Sequence, residues 1–315
     1  MPVSALPAPA AAPAPRAPTR PPRRPPGART TLAPLDPLRY APSAERPVRA
    51  KARVLQPDSE IQPHRHAWAQ VAVAVEGVAH ITAEASTFLV PAWRAVWIPP
   101  GVEHLVTVVE AAELRTLYIH QATDSAGPGG PSAAAGPWRH CRVLEVSPLL
   151  RELVLQMGHE PDGAAAGAPD PTALARERRL GELALDELQR AAPVPLGIAL
   201  PRDKRLRALC QAVIADPTRH ARLEDWAAEA GASPRTVARR FRDELGTSFG
   251  PWRQQVLLGR ALTLAARGWP MGLIAAELGY ASASAFTAMV RRSVGLPPAR
   301  FFGRTVSTAR TTIAL

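Results

Sequence analysis

Cysteine is almost absent from the 315 residues: Cys141 and Cys210 stand far apart and form no metal-ligand spacing. Two such thiols build no secreted disulfide framework, so a reducing cytoplasm is the expected location. Long apolar runs are missing too, and no stretch approaches the roughly 20 residues that a membrane helix needs. The start of the chain lacks a compact apolar core with a cleavage site, so no secretion signal is expected. Acid is scarce toward both ends. Residues 1–50 carry eight Lys/Arg against two Asp/Glu, residues 203–304 carry 16 against eight, and residues 51–202 carry 13 against 17. The net charge of +11 thus flanks a mildly acidic middle. A basic block favours a polyanionic partner, most commonly nucleic acid, although a cationic face by itself is weak ground.

What is present divides the chain into dissimilar parts. Residues 1–47 hold 14 of the 35 prolines, mixed with Ala and Arg. Proline removes backbone donors, so this leader is expected to be disordered, whether it touches nucleic acid or is merely a solvated extension. Residues 48–122 read as short β-prone runs (70–75, 78–83, 87–90, 95–98, 105–109 and 114–119) separated by turns such as Glu76-Gly77 and Pro99-Pro100-Gly101. That texture predicts an antiparallel barrel or sandwich. Residues 123–201 read as loops (127–137 and 159–171), two helices (147–157 and 172–189) and an extended linker over 193–201. Residues 202–304 read as helices throughout, at 203–215, 223–230, 233–245, 249–267, 271–278 and 284–294, followed by a tail at 305–315. The fold class expected is α+β, a β-barrel followed by an all-α unit.

A weak internal repeat lies in the helical block. Ala227-Ala228-Glu229-Ala230-Gly231 recurs as Ala275-Ala276-Glu277-Leu278-Gly279, and Gly246 recurs as Gly295. Each copy is a short helix, a Gly-containing turn and a second helix bearing arginines. Glycine accepts φ > 0, which stops the first helix and reverses the chain. Ser233 is suited to cap the next helix and Pro234 to open it. Val237 and Phe241 anchor that helix inward, leaving Ser233, Arg235, Thr236, Arg239 and Arg240 as candidate DNA contacts. In the second copy Phe286 and Val290 are the anchors, and Ser282, Ser284, Thr287, Arg291 and Arg292 the candidate contacts. This is the layout of a recognition helix entering a major groove; the opposing reading is a helical bundle with solvated arginines.

Residues 203–302 resemble the DNA-binding domain of the AraC/XylS family. The resemblance is carried by Ser233-Pro234-Arg235-Thr236-Val237-Ala238-Arg239-Arg240-Phe241, by Glu244-Leu245-Gly246-Thr247-Ser248-Phe249, and by Gly279-Tyr280, Phe286, Gly295 and Pro298 to Phe301. It implies two helix-turn-helix units set in successive major grooves, about 34 Å apart, with a helix of roughly 27 Å between them. Three departures stand out. Trp252 occupies a frequent Tyr position, Val290 replaces a usual Phe, and Gly259 inside the joining helix should cost about 1 kcal/mol relative to Ala.

The barrel region carries His64-Arg65-His66, then Gln70, then His104. On a strand His64 and His66 face the same way, and a third imidazole with an oxygen donor suits a divalent transition metal. These residues resemble the two motifs of the cupin barrel, with Gln70 where metal-dependent cupin enzymes usually have Glu; a neutral amide is the poorer ligand. Pro91 to His104 and Leu200-Pro201-Arg202-Asp203 resemble most closely the NimR-like subgroup of AraC-family sensors. Trp68, Trp93 and Trp97 are candidate pocket walls or core.

Together these readings predict a non-enzymatic, sequence-specific transcription regulator. Its partners are an operator in double-stranded DNA and a small-molecule or metal effector in the barrel. RNA polymerase joins them if the protein activates, and the resemblance implies a homodimer through 172–189. The alternatives are a metal-dependent cupin enzyme and a non-specific nucleoid-type DNA binder.

Overall fold

The computed structural model describes residues 29–108, 111–121, 127–128, 136–158, 161–162, 170–295 and 297–302. Most of the predicted proline-rich leader, parts of both predicted loops and the predicted tail lie outside the described residues. Within the leader, β1 (Thr30–Leu32) pairs in parallel with β3 (Ser59–His64), and Pro37–Tyr40 forms a 3-10 turn capped by Asp36. Part of the predicted leader is therefore built into the sheet, because an edge strand can recruit even a proline-rich neighbour.

All six predicted strands form: β4 (Ala69–Glu76), β5 (Val78–Ala83), β6 (Ser86–Pro91), β7 (Arg94–Ile98), β8 (His104–Val108) and β9 (Ala112–Ile119). To these are added β2 (Val48–Leu55), β10 (Arg142–Glu145), β11 (Pro193–Val194) and β12 (Gly197–Ala199). They build two six-stranded sheets, ordered β1-β3-β8-β5-β6-β12 and β11-β10-β7-β4-β9-β2. No closed barrel forms among the described residues; the strands divide between two sheets. The corners explain the division. Gly77 (φ 73°), Trp93 (φ 58°) and Gly101 (φ 75°) turn the chain from one sheet to the other, so β4 and β5, β6 and β7, and β7 and β8 are sequential without pairing. At Gly77 a Cβ would stand 2.3 Å from the Ala111 carbonyl oxygen, which excludes any side chain.

Period-two alternation gives each sheet an inner and an outer face. In the second sheet Val71, Val73, Trp97 and Leu117 point outward, under Leu150, Leu153, Val154, Ala184 and Leu188 of α1 (Pro148–Gln156) and α2 (Pro171–Arg190). Ala72, Val96, Ile98 and Leu114 point inward, to meet Ile81, Val90 and Val106 of the first sheet. The predicted linker over 193–201 is more ordered than expected. It supplies β11 to the edge of one sheet and β12 to the edge of the other, and so satisfies backbone groups on both.

The remaining elements are helical: α3 (Lys204–Ala215), α4 (Leu223–Glu229), α5 (Pro234–Leu245), α6 (Phe249–Ala266), α7 (Met271–Glu277), α8 (Ala283–Val294) and α9 (Pro298–Phe302). Leu206, Leu209, Val213, Trp226, Val237, Phe241 and Trp252 form one core around α4 and α5, which also takes in Leu89, Ile198 and Leu200 from the sheet side. Leu258, Leu262, Ile274, Phe286, Val290 and Phe302 pack around α7 and α8 in a cluster continuous with the sandwich interior. Gly259 has a reason beyond helix propensity: a Cβ there would lie 2.9 Å from Leu89 Cδ2, so its absence lets α6 approach β6 closely.

Candidate nucleic-acid interface and interior histidine site

The turn chemistry of both helix pairs is as the residues require. Gly231 (φ 62°) and Gly279 (φ 77°) follow the first helices, and Gly246 (φ 64°) and Gly295 (φ 69°) end the second ones in left-handed conformations. Ser233 Oγ accepts from the Thr236 amide at 3.3 Å, and Ser282 Oγ accepts from the Ala285 amide at 3.1 Å. α5 buries only Val237 and Phe241, and α8 buries Phe286, Met289 and Val290. Opposite them Ser233, Arg235, Thr236, Arg239 and Arg240 are exposed on α5, as are Ser282, Ser284, Arg291 and Arg292 at α8, while Thr287 is half-buried.

One charge on α5 runs against the helix dipole, while Arg242 in the last turn accords with it. Its first turn holds no acid and carries Arg235, where a cation opposes the positive helix end. Arg235 and Arg239, one turn apart, make no ion pair among the described residues. Arg240 differs: its guanidinium is bonded to the Asp203 carboxylate, which also caps α3, and Glu244 accepts from the amides of Arg202 and Asp203. In α8 the arginines sit in the last turn, so the end that would enter a groove first presents Ser282, Ser284 and Thr287.

The interior site lies between the sheets. His64 ends β3 and pairs in register with His104, the first residue of β8. His66 stands two residues beyond the strand end rather than on a common strand with His64. The loop nevertheless returns it to the cluster, through the Gly101 amide that donates to the His66 carbonyl at 2.8 Å. One nitrogen from each of the three imidazoles falls within 4.8 Å of the others. His64 Nδ1 lies 2.8 Å from the Gln62 carbonyl and His104 Nδ1 3.1 Å from the Val102 carbonyl. A carbonyl only accepts, so those Nδ1 atoms carry hydrogen and each Nε2 presents a lone pair. His66 Nε2, His104 Nε2 and Gln70 Oε1 are buried without a partner. Burial, then the neighbouring imidazoles, push the His66 and His104 pKa down to about 3 and about 4; His64 is lowered too, chiefly by burial. Three neutral imidazoles and an orphaned carbonyl oxygen fit a divalent transition metal.

Three comparisons bear on these sites. A model described as an AraC-like ligand binding domain matches residues 46–184, and one described as a helix-turn-helix domain matches residues 226–304. The HTH-type transcriptional regulator NimR of Escherichia coli is 33% identical over 241 residues, covering 76% of this chain and 82% of that protein. This chain belongs to the AraC family of transcriptional regulators. A second regulator, RipA of Corynebacterium glutamicum, is 32% identical over 102 residues, 32% of this chain and 31% of that one. The crystal structure of ToxT from Vibrio cholerae with a bound unsaturated fatty acid covers 84% of this chain and 98% of its own at 11% identity, with a TM-score of 0.33.

Within the AraC-family frame the departures find their places. Trp252 is buried, edge-on to Phe241 at 5.5 Å, and its Nε1 donates to the Ala199 carbonyl at 2.8 Å, tying α6 to β12. Val290 is fully buried beside Phe286, Met289 and Phe302. Of the three tryptophans, only Trp68 reaches the histidines, stacked on His66 at 5.7 Å. Trp97 packs on the outer face against Trp138, and Trp93 lies under Arg151. Sequence reasoning passed over Lys51 and Tyr118. Their side chains meet on the inner face, where Lys51 Nζ donates to Tyr118 Oη and lies 4.7 Å from its ring centre. Burial lowers the Lys51 pKa to about 8. The available signal was alternation: Val48 and Ala50 face the helices, so Lys51 faces the interior.

Proposed function

We propose that the chain is a sequence-specific regulator in which α5 and α8 read an operator in double-stranded DNA, and the two-sheet domain, a cupin-like sandwich, senses an effector that alters operator affinity. The carrying observation is the exposed Arg235–Arg239 pair, one turn apart and in no ion pair among the described residues, with Arg235 at the helix end whose dipole opposes a cation, an arrangement that a phosphate backbone relieves. Ser233, Arg235, Thr236 and Arg239 are the proposed contacts from α5, with Arg240 held back by Asp203. From α8, Ser282, Ser284 and Thr287 face the bases and Arg291 and Arg292 the phosphates. The working divisions are 48–122 for the sensor, 123–201 for the connection and 202–304 for an all-α tandem helix-turn-helix unit. α6, at 18 residues or about 27 Å, is the spacer.

His64, His66 and His104, with Gln70, are the proposed metal ligands; a bound ion would supply a Lewis-acid anchor for an effector oxygen. No helix among the described residues is long and apolar enough to cross a membrane, which accords with work on DNA in the cytoplasm. A homodimer through α2 and contact with RNA polymerase, should regulation be positive, complete the reading. The relatives are regulators, and no catalytic role is assigned. Coupling requires the effector to favour one arrangement of α6 against β6 over another.

The test is selection of binding sites from random DNA by the full-length protein, followed by anisotropy on the selected site. A motif with two half-sites one helical turn apart supports the reading. Binding without a motif, with affinity falling steeply in salt, would instead identify a non-specific binder.

A further inference from the structure

We propose that the interior of the sandwich takes a small carboxylate, held by Lys51 Nζ and the Tyr118 hydroxyl beside His64, His66 and His104. The proposal deepens the regulatory reading above and rests on it only for the ligand's role as effector.

The argument begins from what the buried polar groups lack. Lys51 is 9% exposed, and it makes no ion pair among the described residues. One of its three N–H donors goes to Tyr118 Oη, leaving two, and Tyr118 keeps its own O–H to donate onward. Trp68 Nε1 is a third donor buried without an acceptor. The rings are contiguous: Tyr118 lies 4.9 Å from His66 and 5.6 Å from Trp68, and His66 lies 5.2 Å from His104. Donors on Lys51, Tyr118 and Trp68 thus border the cluster. Among its own members, His66 Nε2, His104 Nε2 and Gln70 Oε1 offer only lone pairs.

Charge points the same way. Arg53 adds a further positive charge near Lys51 and His64. Position 70, where a carboxylate would balance a metal, is an amide. A divalent ion on the imidazoles together with Lys51 would bring three positive charges together, and no acid pairs with Lys51 among the described residues. A buried charge needs a partner. A carboxylate supplies it, one oxygen toward the metal and the other accepting from Lys51, Tyr118 and Trp68. A neutral ligand of the same shape leaves the ammonium uncompensated.

The probe is lactate, with lactamide as its uncharged counterpart, titrated by calorimetry into full-length protein, metal-free and loaded with Co2+. The visible spectrum of Co2+ reports its coordination independently. Lactate is expected to bind at least about tenfold more tightly than lactamide, as a charge-assisted pair requires. Lys51→Met should remove about tenfold or more of lactate affinity while Co2+ binds as tightly or more so, since a neighbouring cation has gone. Tyr118→Phe, which keeps the ring, should weaken lactate by about threefold or more and serves if Lys51→Met fails to fold.

Equal binding of lactate and lactamide overturns the proposal. So does a Lys51→Met protein that keeps lactate affinity, or one that folds but loses Co2+ and lactate together. Operator anisotropy is read separately. Lactate binding without any change in operator affinity leaves the carboxylate site standing and refutes its effector role. Intact operator binding without lactate binding refutes the site alone.

Discussion

Phe241 is the residue on which the first recognition helix depends most. α5 spans 12 residues and buries only two of them, Val237 and Phe241. The Phe241 ring is fully enclosed, edge-on to Phe249 at 5.7 Å and to Trp252 at 5.5 Å. Phe241→Ala removes a fully buried aromatic, which costs about 3–5 kcal/mol including the cavity. Two edge-to-face pairs at about 0.5–1.5 kcal/mol each lie within that figure. A helix this short is marginal without packing, so α5 should detach locally while the sandwich stays folded. At about 1.4 kcal/mol per factor of ten, the loss corresponds to a shift of roughly 150-fold or more in the docked population. Urea unfolding followed by the fluorescence of Trp226 and Trp252 measures the stability, and anisotropy on the selected operator measures the binding. Destabilisation of at least about 3 kcal/mol is expected, with operator affinity falling at least about tenfold. Val237→Ala, a smaller truncation, should cost less on both readouts. A Phe241→Ala protein within about 1 kcal/mol of wild type and within twofold in operator affinity would refute the idea that this anchor holds the helix.

Arg239→Ala should weaken operator binding by about 1–3 kcal/mol, whereas Arg240→Ala, whose side chain already serves Asp203, should weaken it less; equal losses in anisotropy would overturn that ranking. Because burial holds His66 and His104 near 3 and 4 when folded, against 6.5 when unfolded, their contribution is present above about pH 6.5 and lost as pH falls toward those values. Each histidine then costs about 1.4 kcal/mol per pH unit over that window, so the urea midpoint should be lower at pH 5 than at pH 7.5; identical midpoints would count against the buried neutral pair. Gly77→Ala meets both a left-handed φ and the Ala111 carbonyl and should destabilise by more than about 1 kcal/mol, read as a lower thermal midpoint; an unchanged midpoint would show that the corner is free to move. Gly259→Leu should push α6 away from Leu89 and blunt the effector's influence on operator affinity, and an unaltered response would remove this contact from the coupling route.

The helical half was legible residue by residue. Ser233-Pro234 and Ser282 cap their helices, Gly231, Gly246, Gly279 and Gly295 take positive φ, and Val237, Phe241, Phe286 and Val290 are buried, because all of these depend on neighbours within one or two turns. Six strands were legible from short β-prone runs bounded by turn residues, which are local signals as well. The first strands and the linker strands were not: β3 ends in Gln62-Pro63-His64, and β11 and β12 are two and three residues long, too short to show a period. Their pairing depends on which partner edge lies near.

Local chemistry, therefore, determined where this chain turns, which helix faces are apolar, where the arginines project and that three histidines belong to the strand-rich half. Tertiary structure alone decided that the strands divide into two sheets, that Arg240 is tied to Asp203, that Gly259 admits Leu89, and that Lys51, Tyr118 and Trp68 surround the histidines. The physical reason is separation along the chain. Lys51 and Tyr118 are 67 residues apart and Gly259 and Leu89 farther still, so only packing of whole elements brings them into contact.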